Sequence, residues 1–297
     1  MNDRPERPPG DDSPRDWDQR PWTRFVASLT KPLMRHPRIA IIGDTQLRHG
    51  ELTNAGAIAT ELATGWPVDV GFRSIAANAA SWEELDSRFG MAGITTWMSI
   101  RDPNDRGPES SVVADIRMGD MLNIDELFGH DLVIVASRDA ALRRFLADLP
   151  VHTFPGVRML SLVHFREGVI ADEKLDDLTR FDVIIGGEPD FASIVPPSTV
   201  AESESAIAAL KPAIEGTNVR AIVSWGKHGA FRCLTREDSL LTLPPHHAPH
   251  TSSDAPWAAF AGAVAMGMIR RQEWEDIGRD ATRRFAVRAQ NLRSERA

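Results

Sequence analysis

From Arg38 onward the chain alternates short, continuous apolar runs with longer segments whose apolar residues recur at helical spacing. The runs Arg38–Gly43 (RIAIIG), Val68–Phe72, Asp131–Ala136 (DLVIVA), Arg158–Val163, Phe181–Gly186 and Val219–Trp225 predict buried strands. A strand covered on both faces shows no polar side. Between them, Asn54–Ala63, a segment capped at Ser137, and segments near Asp172–Leu178 and Val200–Ile214 predict helices. Ser81 with Glu84 reads as a capping box for a further helix through Phe89, and a last helix spans roughly Glu273–Arg293. Apolar strands alternating with helices imply an α/β architecture with a mostly parallel sheet covered on both faces. Ile94–Ile100 and Ser111–Ile116 depart from that rhythm. They alternate polar and apolar around the turn DPNDRGPE, and predict a hairpin over residues 94–116 appended to one edge.

Ahead of this regular part, residues 1–36 are rich in Pro, Asp and Arg and predict a disordered tail; residues 37–297 form the domain. Trp22, Phe25, Val26, Leu29 and Leu33 have the spacing of a short amphipathic patch that could dock on it. A length of 297 residues with 42% hydrophobic content supports a full core. The formal charge of −8 argues against nonspecific nucleic-acid binding. No apolar run approaches the roughly 20 residues of a membrane span, and no charged-then-apolar leader opens the chain, so the cytoplasm is the expected compartment. A single cysteine, Cys233, in an apparent strand excludes an internal disulfide.

The stretch from Leu240 to Met268 concentrates the candidate chemistry. An apolar strand, LLTL, leads through the loop PPHHAPHTSS to Asp254 and a small-residue helix, APWAAFAGAVAMGM. Asp254 falls at the N-cap position and Pro256 in the first turn, where a missing N–H costs nothing. A carboxylate there can cap its helix or work as a base beside an anion bound at the helix mouth. In open α/β sheets ligands bind past the carboxyl ends of the strands. That rule also selects Gly43-Asp44, Gly186-Gly187-Glu188 and Ser224-Trp225-Gly226. The segment VSWGKHGAF (Val223–Phe231) is a strand, a Gly-x-x-Gly turn and a second strand. Gly226 and Gly229 let backbone approach a flat or anionic ligand, and Lys227 adds a charge. The same residues also suffice for a plain hairpin turn. His246, His247 and His250 match no zinc spacing and read as solvated loop histidines. Ser252 and Ser253 lack the strand–elbow–helix context of a hydrolase nucleophile.

Several of these pieces together resemble the PfkB/ribokinase family of sugar and nucleoside kinases. VSWGKHGAF is similar to that family's segment beside the nucleotide. SDAPWAAFAGAVAMG is similar to the helix that begins with its catalytic Asp. RIAIIGD with NAGAIATELA resembles its opening strand and substrate-side helix, and GITTWMSIRDP with SSVVADI is similar to strands of its β lid. The order is collinear from about Arg38 to the C-terminus. The resemblance implies a ribokinase-like three-layer α/β sandwich with a mostly parallel sheet and a reduced β lid. It implies ATP and Mg²⁺ as cofactors, phosphoryl transfer to a hydroxyl of a sugar-like or nucleoside-like small molecule, and a homodimer paired through the lid. Asp254 would be the base. The N–H groups of the loop Thr251, Ser252 and Ser253, with that of Asp254, would form the anion hole. Ser224, Gly226, Lys227 and Gly229 would lie at the nucleotide. Asp44, Arg48 and Asn54 would lie at the substrate, and Glu188 and Asp190 near a phosphate-bound magnesium.

The chain also departs from the family pattern. Thr251-Ser252-Ser253 replaces Gly-Ala-Gly, which crowds backbone that must approach a phosphate. The Asn-x-x-Glu motif appears as Gly187-Glu188-Pro189-Asp190. Arg48 takes the place of a sugar-binding Asp and suggests an anionic ligand. The span from Gly43 to Asn54 is too short for the first lid strands. An active kinase, a catalytically impaired relative that binds a nucleotide or metabolite as a sensor or partner, and a structural subunit whose Asp254 only caps its helix all fit these residues.

Overall fold

The computed structural model describes residues 35–43, 45, 47–48, 51–76, 79–100, 127, 129–137, 143, 146, 156–162, 179–195, 205–226, 230–237, 239–246 and 253–295. The expected tail with its amphipathic patch, the helix near Asp172–Leu178 and the strand Ser111–Ile116 lie outside those residues. Residues 36–297 cluster as one compact unit.

Among the described residues, the apolar runs become strands of one nine-stranded sheet. In chain order these are β1 (Arg38–Gly43), β4 (Asp69–Ala76), β5 (Thr95–Ile100), β6 (Leu132–Ala136), β7 (Val157–Ser161), β8 (Val183–Gly187), β9 (Ala221–Trp225), β10 (Phe231–Thr235) and β11 (Leu240–Leu243). They lie in the order β11-β10-β9-β8-β7-β6-β1-β4-β5. Every neighbour from β9 to β5 is parallel, and β10 and β11 turn back antiparallel at one edge. Between β1 and β4 lie β2 (Leu47–Arg48), β3 (Glu51–Leu52) and helix α1 (Asn54–Gly65). Helix α2 (Ala79–Met91) precedes β5, α3 (Glu188–Ile194) follows β8, and α4 (Lys211–Ile214) precedes β9. After β11 come α5 (Ala255–Ile269) and α6 (Trp274–Glu295).

Two sequence expectations are corrected. Thr95–Ile100, expected in an appended hairpin, belongs to the main sheet. It pairs parallel with β4, from Gly71↔Thr95 to Ala76↔Ile100, as the outermost strand among the described residues. Its alternation is that of an edge strand, which is less covered than the central ones. Helix α2 begins at Ala79, so Ser81 lies inside its first turn and does not cap it.

Strand parity divides the core. Ile39 and Ile41 of β1, Ile134 of β6, Ile185 of β8 and Val223 of β9 face α1, α2, α5 and α6. Ala40, Ile42, Val135, Ile184 and Ile222 face Phe191 of α3 and the segment of Ile207, Leu210 and Ile214. With side chains alternating across each strand, both faces are apolar, which produces the continuous runs in the sequence. Helix α5 is buried from Pro256 to Gly267, so its Ala and Gly residues let it lie close to the sheet. Cys233 is buried in β10, and desolvation pushes its thiol far above the ordinary range, leaving it protonated.

The chain leaves β1 to form β4 and β5 on one side, then returns to form β6 on the other. The crevice for a ligand in such a sheet opens at this reversal, past the carboxyl ends of β1 and β6. Gly43 ends β1 there. A Cβ on it would lie 2.1 Å from the carbonyl oxygen of Ala136 at the end of β6, so the two strands can meet this closely only with glycine.

Candidate active site

Two helices open onto this end of the sheet, and their first residues are joined. Asp254 occupies the N-cap position of α5, yet its side chain makes no cap hydrogen bond there. Its Oδ2 instead accepts the backbone N–H of Asn54, the first residue of α1, at 3.0 Å. The expected capping of its own helix is therefore corrected: Asp254 serves one of the orphan first-turn donors of a different helix. On α5 that function passes to Ser253, whose Oγ accepts the N–H of Ala255 at 3.2 Å.

The hydroxyl of Ser253 in turn donates to Oε2 of Glu51 at 2.6 Å. Glu51 belongs to the hairpin of β2 and β3, whose two-residue strands pair Leu47 with Leu52 and Arg48 with Glu51. The short span after Gly43 thus holds a hairpin, stitched to the start of α5. Asn54 itself sits at φ 47°, a left-handed conformation that Asn tolerates better than most residues. It is 8% exposed, and its Oδ1 is buried with no hydrogen-bond partner among the described residues. An unpaired buried amide oxygen costs about 1–3 kcal/mol. It is suited to a donor brought by a ligand, such as a hydroxyl.

The strand ends across the sheet form a second cluster. Glu188 at the start of α3 accepts Nη1 of Arg232 at 3.0 Å, the hydroxyl of Ser224 at 3.3 Å, and the N–H of Ala206 at 2.8 Å. Asp190 is buried and turns back to accept the N–H of Gly187 at 2.7 Å. Both acids expected beside magnesium are thus engaged within the protein, and no group of three or more His, Cys, Asp or Glu that could hold a metal occurs among the described residues. Among the described residues, these acids do not form a protein-held metal site. Gly226 closes the β9–β10 turn, donating to the Ala230 oxygen at 2.7 Å. Beside it, Trp225 packs against Trp257 and Phe260, with ring centroids 5.5 and 5.7 Å apart.

Of the residues singled out in the sequence, Asn54 and Asp254 are brought together, with Ser253 alongside. Ser224 and Gly226 lie at the end of β9. Asp44, Lys227, Gly229, Thr251 and Ser252 lie outside the described residues, as does the side chain of Arg48. Glu51 and Arg232 were not anticipated. Arg232 carried a usable signal, a cation in the interior of an otherwise apolar strand, which needs a partner. Glu51 carried none, because its partner lies 202 residues away.

No protein-family model matches the sequence, and no curated protein does either. Solved structures do. The architecture is that of the ribokinase-like α/β fold. The chain is similar to the ribokinase of Arabidopsis thaliana, solved with ribose and ATP (TM-score 0.62, 11% identity, 86% of this chain and 93% of that one). It is similar to a putative ribokinase II of E. coli in complex with ATP and Mg²⁺ (TM-score 0.60, 11% identity, 85% and 92%). It is also similar to a PfkB protein of Polaromonas sp. JS666 (TM-score 0.61, 12% identity, 86% and 97%). The likeness spans most of each chain and is one of fold.

Proposed function

We propose that this protein is an ATP-dependent phosphotransferase acting on a hydroxyl of a sugar-like or nucleoside-like small molecule. The observation that carries the reading is the carboxylate of Asp254, which stands at the mouth of α5, does not cap that helix, and is fixed on the first N–H of α1. Neighbours of the same fold have been solved with ribose and ATP, and with ATP and Mg²⁺. In this reading the acceptor alcohol gives its proton to Asp254 as its oxygen takes the terminal phosphoryl group of ATP, and ADP leaves. The buried Oδ1 of Asn54 accepts a hydrogen bond from a second hydroxyl of the acceptor. The loop Thr251, Ser252 and Ser253 receives the transferring charge, and Ser224, Gly226, Lys227 and Gly229 flank the nucleotide. Asp44 and Arg48 belong to the acceptor side. Magnesium would arrive with the phosphates, since Glu188 and Asp190 are already engaged.

The replacement of a glycine-rich run by Thr251-Ser252-Ser253 leaves one alternative, a nucleotide- or metabolite-binding relative without transfer. A single experiment separates the two. ATP with Mg²⁺ is supplied with a panel of sugars and nucleosides, with ADP release and thermal stability followed together. Transfer that is lost in Asp254→Asn supports the kinase. A thermal shift with no ADP from any acceptor assigns the binding role, and neither signal removes both readings.

A further inference from the structure

Helices α1 and α6 line a groove of about 800 Å³, with Ala255 and part of α2 completing its wall. Arg283, Arg284 and Arg288 of α6 and Arg88 of α2 line it, against the two acids Glu51 and Glu61. Arg284 is held on two sides. Its Nε donates to Oδ2 of Asp280 at 3.0 Å, and its guanidinium lies 4.1 Å from the ring centre of Trp66. The same Asp280 accepts Nη2 of Arg283 at 2.5 Å, so one carboxylate serves two guanidiniums. Among the described residues the Nη groups of Arg284 and the Nε and Nη1 of Arg283 have no hydrogen-bond partner. An ion-pair ladder on a solvated helix needs no indole beneath one of its arginines. A planar donor fixed by a carboxylate and a ring is arranged as oxyanion sites are.

The α1 wall offers the opposite polarity. Thr60 and Thr64 donate their hydroxyl hydrogens back along the helix, to the oxygens of Gly56 (3.0 Å) and Thr60 (2.7 Å). What they present to the groove is lone pairs. Glu61 lies on the same wall, with its carboxyl raised above the ordinary range by burial, an effect that Arg288 and Arg284 only partly offset. At the rim, Met91 is 81% exposed and Val287 50% exposed, both large apolar chains facing solvent.

We propose that this groove binds a small oxyanion that also carries hydroxyl groups. Its phosphate or carboxylate is held by Arg283, Arg284 and Arg288, and its hydroxyls donate to Thr60, Thr64 and Glu61. The groove runs up to Glu51 and Ala255 beside the crevice at Asp254, and binding in it does not depend on phosphoryl transfer there.

The test is a titration of the whole protein, labelled with ¹³C-methyl methionine, with glycerol 2-phosphate at constant ionic strength. The Met91 signal is assigned through Met91→Leu, and glycerol alone is the control. A saturable shift of the Met91 methyl, at least about tenfold weaker with glycerol, supports the site. The substitution Val287→Glu lies at an exposed position and sets a like charge beside the anion. It should weaken binding by about tenfold or more with an unchanged melting temperature. A Met91 signal that does not move, that moves equally with glycerol, or that responds with the same affinity in Val287→Glu overturns the proposal.

Discussion

The backbone N–H of Asn54 donates to the carboxylate of Asp254 across 200 residues of chain, joining the first turns of two helices. The carboxylate therefore has a structural partner as well as a proposed chemical task, and two substitutions separate these. Asp254→Asn keeps an acceptor oxygen for Asn54 and should unfold in urea within error of the parent, while phosphoryl transfer falls by about a hundredfold to ten-thousandfold. Asp254→Ala removes the acceptor and should cost about 1 kcal/mol of stability in addition. Full transfer by Asp254→Asn would take the residue out of the base role.

The conformation of Asn54 makes a separate prediction. At φ 47° the backbone is left-handed, and a side chain without a local polar group is strained there by about 1–2 kcal/mol. Asn54→Gly relieves this and Asn54→Ala does not, so the alanine variant should be the less stable of the two in a denaturant titration. Equal stability would mean that the turn relaxes at little cost.

Glu51 and Ser253 should be energetically coupled. Each single alanine substitution removes the same 2.6 Å hydrogen bond, so their effects should fail to add by about 0.5–1.5 kcal/mol in a double-mutant cycle. An additive cycle would mean that the stitch between hairpin and helix contributes nothing to stability.

Two acids in and behind the arginine groove should respond to pH with opposite sign. Burial raises the Glu61 carboxyl, with Arg288 and Arg284 pulling the other way. The folded state then holds this proton more tightly than the unfolded one, and stability drains as pH climbs through the raised value. Glu61→Gln should match the parent in acid and melt higher at neutral pH. Burial also acts to raise Asp280, but hydrogen bonds from Arg283 and Arg284 outweigh it and leave the carboxyl low. Its contribution is present above the ordinary carboxylate range and is lost as pH falls through the lowered value. Asp280→Asn should melt lower at neutral pH and converge on the parent in acid. Melting curves between pH 3 and 8 test both, and parallel curves for all three proteins would contradict both assignments.

The sheet was legible in the sequence because strands buried on both faces leave continuous apolar runs, and β1 and β6 in RIAIIG and DLVIVA are plain examples. The place of β5 was not, since an edge strand and a hairpin arm share the same alternation. Asp254 was legible as a residue but not as a contact. An Asp at a helix start reads as that helix's own cap, and nothing local shows that its carboxylate turns to Asn54. The engagement of Glu188 and Asp190 was hidden for a similar reason. Acids at a strand end look available until Arg232 and the N–H of Gly187 are seen to hold them.

The two stitches that close this end of the sheet have a temporal meaning. On the ribosome, β1, the hairpin and α1 emerge long before α5, and through most of synthesis the N–H of Asn54 and the carboxylate of Glu51 lack the partners that Asp254 and Ser253 later supply. This end of the sheet is thus finished by a helix made late in synthesis. A nascent chain that stops short of Ser253 can hold most of the sheet, yet it has neither the carboxylate that meets Asn54 nor the hydroxyl that meets Glu51.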